Sequence, residues 1–269
     1  MMLVKAPGVP DYEVVFSEPK TSDYSLVIPV INEGERIEKL LSTMQAKGIT
    51  RLCDVILCDG GSRDGSLNLK NLHAFSVRAL LLKKGEGRLS SQLRCAYHFS
   101  LERGYKGIVT IDGNNKDDPT SVPAFIEKLK EGYDFVQASR FIKGGEAVNT
   151  PISRTLGIRL LHAPLLSLAS GFHWTDTTQG FRAYSAKLLR DSRISIFRDV
   201  FKNYELLAYL SYRAPKMGFR CIEMPSRRTY PKGVVPTKIS AIQGNAQVFD
   251  VLVKACLGKY NPVDKSVTK

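Results

Sequence analysis

TIDGNNKDDP, residues 110 to 119, is where the chain passes from apolar residues (Gly107, Ile108, Val109, Ile111) to a cluster of carboxylates and amides. It reads as a buried strand ending in a polar loop, and strand ends are where α/β folds place their chemistry. Asp112 and Asn114 stand two positions apart with Gly113 between them. Such a pair at the mouth of a sheet can offer hard oxygens to one divalent cation. Asp, Asn and Gly are also ordinary turn residues, and Asp118 before Pro119 suits the start of a helix.

Outward from this loop the same strand-loop-helix unit recurs. Tyr24 to Val30 is an apolar run of strand length, followed by Ile31-Asn32-Glu33-Gly34 and by Ile37, Leu40, Leu41 and Met44 at helical spacing. Leu52 to Cys58 leads into Asp59-Gly60-Gly61-Ser62-Arg63-Asp64-Gly65-Ser66, and Val77 to Leu82 into the basic loop Lys83 to Arg88. A helix is expected over Leu89 to Arg103 and another over Val122 to Leu129; Tyr133 to Ala138 is a fifth strand, ending at Ser139-Arg140-Phe141. Repetition of this unit predicts a parallel sheet in a three-layer α/β/α domain, with polar loops at the strands' C-terminal ends gathered on a nucleotide or phosphorylated ligand. Residues 1 to 23, with Pro7, Pro10 and Pro19, read as an extended N-terminal arm; the main domain is expected over residues 24 to 239 and a C-terminal helix and tail over 240 to 269.

With 269 residues, 43% of them hydrophobic, the chain has enough material for a substantial core. The net charge of +13 points to anionic partners. Nucleic acid is set aside, because aromatics are not interleaved with the basic residues as stacking readers require. Five scattered cysteines without a CxxC pair argue for reduced thiols in a cytoplasmic protein, and the four histidines show no metal-ligand spacing. No apolar run approaches the ~20 residues of a membrane span, so any membrane contact is expected to be peripheral, at the inner face.

Five motifs occur in an order that resembles family 2 glycosyltransferases, in the branch similar to dolichyl- or polyprenyl-phosphate mannose synthases: VIPVINEGERI (27–37), ILCDGGSRDGS (56–66), IDGNNKDDP (111–119), ASRF (138–141) and DTTQGFRAYS (176–185). The resemblance implies a GT-A fold and inverting sugar transfer from a UDP- or GDP-sugar, with Mg²⁺ or Mn²⁺ held by Asp112 and Asn114. It places Pro29, Asn32, Glu33, Asp59, Asp64, Arg88, Asp112 and Gly113 about the nucleotide sugar. Arg140 and Arg182 would lie beside acceptor and phosphates, and Arg228, Lys232 and Lys238 in a basic loop that closes over the diphosphate. The chain departs from the family pattern at Gly60, where a second Asp is usual, and at Asn114, where an amide replaces a carboxylate. Metal binding is then weaker, or recruits Asp117 or Asp118, or leaves Lys116 to supply charge.

A hydroxyl acceptor needs a base, for which Asp176 and Glu205 are the candidates; a lipid phosphate needs none. Each residue has a bland alternative: a helix start for Asn32, Glu33 and Glu205, a surface arginine for Arg88, a structural salt bridge to Asp112 or Asp176 for Arg140 and Arg182. The acceptor is a polyprenyl phosphate or a saccharide. The rival functions are a nucleotidyltransferase and a nucleotide-sugar-binding protein without catalysis. The apolar segment LGIRLLHAPLLSLASGF (156–172) reads as core helices, or else as a face turned to membrane or acceptor, helped by Arg154 and Arg159.

Overall fold

The computed structural model describes residues 2–231 and 243–263; side chains are described there except at 243–245. In chain order the strands are β1 (Met2–Ala6), β2 (Val9–Ser17), β3 (Tyr24–Val30), β4 (Asp54–Asp59), β5 (Val77–Lys83), β6 (Gly107–Thr110), β7 (Phe135–Ser139), β8 (Glu146–Val148), β9 (Arg182–Ser185), β10 (Cys221–Pro225) and β11 (Arg227–Thr229). The helices are α1 (Glu35–Ala46), α2 (Leu69–Ala74), α3 (Leu89–Glu102), α4 (Val122–Lys130), α5 (Ile152–Gly157), α6 (Ala163–Ser170), α7 (Ala186–Arg190), α8 (Glu205–Lys216) and α9 (Gln243–Cys256), with one π-helical turn, Ile158–His162, joining α5 to α6.

Nine strands form one sheet in the order β1-β2-β5-β4-β3-β6-β9-β7-β10, and β8 pairs with β11 in a small second sheet. The centre is parallel, β3 pairing with both β4 and β6 in register. Its residues are apolar on both faces because both faces are covered. Leu26, Ile28, Val55 and Leu57 pack on the side of α1 and α4, while Val27, Ile56 and Cys58 pack on the side of α3 and α8. On α1, Ile37, Leu40, Leu41 and Met44 form the buried stripe that the helical spacing predicts. Each such side chain contributes roughly 1.5–3 kcal/mol by leaving water.

The N-terminal arm is corrected. Its residues build β1 and β2, an antiparallel pair joined to β5. Tyr12 is buried there and shares a hydrogen bond with His98 Nδ1 at 3.0 Å. Pro7 lies in the turn between β1 and β2 and Pro19 beyond β2, while Pro10 is the second residue of β2, near the strand's start where a missing ladder donor is tolerated. A further strand, β9, runs antiparallel between β6 and β7 and brings the 176–185 motif beside the Asp112 loop.

Candidate active site

The loops after β3 and β4 are fastened to each other. Asn32, in the left-handed region at φ 48°, accepts from the Arg63 N–H at 2.8 Å and donates its own N–H to Ser62 Oγ at 3.0 Å. Asp64 accepts from the Gly34 N–H at 2.8 Å. Asp59 Oδ1 gathers the Gly61 and Ser62 N–H groups and the Ser62 hydroxyl. Glu33 is buried and paired with Arg36 at 2.9 Å. Pro29 lies beneath Gly113, whose hypothetical Cβ would sit 3.1 Å from the Pro29 carbonyl oxygen, so glycine lets the Asp112 loop approach the end of β3. Arg88 is exposed at the start of α3; its charge and that of Asp112 both act on the phenol of Tyr204.

Around Asp112 the charges are crowded. Arg228 of β11 reaches Asp112 Oδ2 at 3.2 Å and holds the buried Asp117 with its other arm. Burial disfavours that guanidinium's charge, but Asp117 and Asp112 outweigh it and hold its pKa well above the usual range. Lys116 lies half-buried with its ammonium 4.9 Å from the centre of the Tyr230 ring, over which Arg154 and Arg228 also lie. Burial and then the charges of Arg228 and Arg154 lower the Lys116 pKa. Burial alone would raise the Tyr230 phenol, yet Arg228, Arg154 and Arg140 bring it below its ordinary value.

Three of the candidate residues are placed otherwise than their expected roles require. Asp176, a candidate base, is fully buried and accepts from Arg140 Nε at 2.7 Å, Arg140 Nη2 at 3.0 Å and Gln179 Nε2 at 2.7 Å. Burial would raise its pKa, but the Arg140 hydrogen bonds and charge, with Gln179, hold it low. A carboxylate so satisfied is a poor proton acceptor. Glu205, the other candidate, opens α8 and accepts from the Asn203 N–H at 2.5 Å, a helix-start role. Arg182, expected beside phosphates, is fully buried and turned inward, donating to the carbonyls of Gln179, Leu207 and Thr177 and to Ser211 Oγ. Arg140 keeps one arm in reserve: among the described residues, Nη1 is buried without a hydrogen-bond partner. Lys232 and Lys238 lie outside the described residues.

Two supporting residues escaped the sequence reading. Gln92, on the sheet-facing side of α3, donates to the carbonyls of both Val30 and Cys58, tying the ends of β3 and β4 beneath the nucleotide loops. Glu223 of β10 accepts from the Thr175 and Asp176 N–H groups and fixes the Asp176 loop. A polar side chain on an otherwise apolar helix face was the available signal for the first, and the Glu-x-Pro strand ending for the second.

The sequence model for glycosyl transferase family 2 matches residues 25–193, and so spans β3 through the Asp176 loop and β9. The chain belongs to glycosyl transferase family 2. An undecaprenyl-phosphate mannosyltransferase of Micrococcus luteus is 29% identical over 74% of this chain and 80% of its own length. A dolichyl-phosphate hexose transferase of Haloferax volcanii is 31% identical over 87% and 94%. These relatives lie in the branch that the motifs resemble. Among solved structures, mannosyl-3-phosphoglycerate synthase from Rubrobacter xylanophilus matches with a TM-score of 0.61 at 13% identity, covering 88% of this chain and 73% of its own. Glucosyl-3-phosphoglycerate synthase from Mycobacterium tuberculosis, in complex with Mn²⁺, UDP and glucosyl-3-phosphoglycerate, matches with a TM-score of 0.54 at 18% identity, covering 91% and 82%. These likenesses establish the GT-A fold of the glycosyltransferase.

Mn²⁺ in that neighbour raises the question of the pair Asp112 and Asn114. The loop brings them together, but the donor set does not match a divalent-cation site in this arrangement. Asn114 Oδ1 accepts from the Lys116 N–H at 3.2 Å, and its Nδ2 is the atom nearer Asp112. Asp112 is paired with Arg228, Asp117 is buried against the same arginine, and Asp118 caps the turn at Pro119. Among the described residues no three His, Cys, Asp or Glu side chains converge. A cation beside Asp112 would also face the Arg228 guanidinium already paired with that carboxylate at 3.2 Å, and the two like charges repel.

Proposed function

We propose that this glycosyltransferase moves a sugar, with inversion, from a UDP- or GDP-sugar to the phosphate of a polyprenyl phosphate at a membrane surface. The observation that carries the reading is that both carboxylates available as bases are engaged within the protein. A hydroxyl acceptor would need one of them; an anionic phosphate oxygen attacks the anomeric carbon without giving up a proton. The names of the Micrococcus and Haloferax relatives, both transferring to lipid phosphates, support the same choice.

Asn32, Asp59 and Asp64 fix the loops on which the nucleoside would lie, and Asp59 Oδ2, with no hydrogen bond among the described residues, is the oxygen suited to a ribose hydroxyl. Asp176 acts through Arg140: it holds the guanidinium by Nε and Nη2 and leaves Nη1 to donate to a phosphate oxygen. As the acceptor oxygen bonds to the anomeric carbon, the bond from that carbon to the diphosphate breaks and its electron pair stays on the leaving group. Preorganised cations along that path favour the transition state over the bound donor.

A lipid acceptor also accounts for α5, the π turn and α6. Ile152, Leu156, Leu160 and Leu168 recur every fourth or eighth position and are 79%, 51%, 72% and 86% exposed. Between them Arg154 and Arg159 are exposed, and residues 150–172 contain no Asp or Glu. Arg159 lies over Phe141, next to Arg140, and His162 bonds Thr177 in the Asp176 loop, so this ridge adjoins the site. An apolar row flanked by cations suits an anionic bilayer surface. No helix among the described residues is long and apolar enough to cross a membrane.

The test compares undecaprenyl phosphate with undecaprenol and with a panel of saccharides. Lipid-linked sugar from the phosphate and none from the alcohol supports the reading. Transfer to saccharide hydroxyls alone would sink it.

A further inference from the structure

We propose that Lys116 and Arg228 take the place of a divalent cation in this chain, binding the donor's diphosphate and balancing its charge as it departs. The inference rests on the reading of a nucleotide-diphosphate sugar as donor. Its basis is the loop Asp112-x-Asn114-x-Lys116 and what β11 does to it. β11 is laced to that loop by backbone bonds, the Thr229 N–H donating to the Lys116 carbonyl at 2.8 Å and the Asp118 N–H to the Arg227 carbonyl at 3.0 Å. The two cations are therefore fixed relative to each other and to Asp112.

Charge and geometry agree. Lys116, Arg154 and Arg228 surround Tyr230, while Asp112 and Asp117 are the carboxylates on Arg228, so the cluster carries surplus positive charge before any ligand arrives. Arg140, whose charge also reaches Tyr230 and Asp117, adds a buried N–H without an acceptor among the described residues. A diphosphate offers oxygens that ammonium and guanidinium groups can meet directly, with charge-assisted hydrogen bonds. A dication would instead join a cluster that is already positive, at a loop whose second oxygen ligand is a neutral amide. The bookkeeping of the transfer closes without metal: the acceptor oxygen supplies the new bond to carbon, and the diphosphate leaves with the old electron pair beside two fixed cations.

The experiment is calorimetric titration of the full chain with UDP and with GDP, in EDTA and then with Mn²⁺, with circular dichroism to confirm that each variant is folded. One nucleotide is expected to bind in EDTA, with an affinity within about threefold of its value in Mn²⁺. Lys116→Gln should weaken the EDTA value by about tenfold or more, the loss of one charge-assisted contact. The double variant Asn114→Asp with Lys116→Gln, which restores a second carboxylate and removes a cation, should bind the nucleotide only when Mn²⁺ is added. Wild-type binding that appears only with Mn²⁺, or Lys116→Gln binding as wild type in EDTA, overturns the inference and leaves the donor reading standing. Binding of neither nucleotide under either condition overturns both.

Discussion

Gly180 sits against the carboxylate on which the site turns, which makes Gly180→Ala a sharp perturbation. A Cβ at this position would meet Asp112 Oδ1 at 2.2 Å, where ordinary van der Waals contact begins at 3.4 Å. Its φ lies outside the left-handed region, so alanine brings no backbone strain and the whole cost is that contact. Asp112 must retreat by about 1 Å, loosening its pairing with Arg228, and a misplacement of that order costs about 10²-fold in rate, near 2.7 kcal/mol of transition-state stabilisation. Stability should change less, because Asp112 is partly exposed and its side chain can turn. The assay pairs initial rates of sugar transfer with a thermal melt. Gly157→Ala serves as control: nothing lies within 4 Å of its Cβ position, and the substitution should be neutral or stabilising by up to about 1 kcal/mol. A folded Gly180→Ala enzyme transferring sugar within about threefold of the wild-type rate, a loss below 1 kcal/mol, would refute the reasoning that the Asp112–Arg228 pair positions a cation the reaction needs.

Arg140→Met strands the buried Asp176 carboxylate and should cost about 3–5 kcal/mol in urea denaturation, with the double variant Arg140→Met and Asp176→Leu recovering part of the loss. Burial, then the charge of Arg182, lowers the His162 pKa to about 4, so the fold disfavours the protonated ring. Unfolding takes up a proton as pH falls below the unfolded value near 6.5, so stability should decline between there and about 4, by about 3 kcal/mol at most, and His162→Gln should flatten that slope. Asp176 acts in the same direction but lower on the pH scale: its stabilising contribution persists through this window and is lost as pH falls through its lowered pKa. Leu160→Glu with Leu168→Glu should abolish sedimentation with phosphatidylglycerol vesicles while leaving the melting temperature within a few degrees, because both side chains already face solvent; unchanged sedimentation would exclude the α5–α6 ridge as the docking face.

The central sheet was legible because its strands are continuous apolar runs bounded by glycine and acid: Tyr24 to Val30 has the ends in sequence that β3 has in space. The N-terminal hairpin was not, because Val9, Tyr12 and Val14 are interrupted by proline and charge, and β2 joins the sheet only by pairing with β5 62 to 71 positions away. Arg182 illustrates a deeper limit. Its guanidinium is bound by the carbonyls of Thr177, Gln179 and Leu207, and backbone acceptors leave no trace in residue identities. A salt bridge between Arg140 and Asp176 was one of several pairings the sequence allowed, and only the fold, by bringing Arg140 from 36 positions earlier, selects it. What the sequence did carry was the unusual pairing of Asn114 and Lys116 in an acidic loop, and β11 explains it by bringing Arg228 onto Asp112.

The central claim is tested most directly by incubating the protein with each UDP- and GDP-sugar and undecaprenyl phosphate, measuring released nucleoside diphosphate and lipid-linked sugar together. The account predicts that one donor yields both in equal amounts, in a product soluble in organic solvent and dependent on the lipid's phosphate. Nucleoside diphosphate released without lipid-linked sugar, or no turnover of any donor, would contradict it.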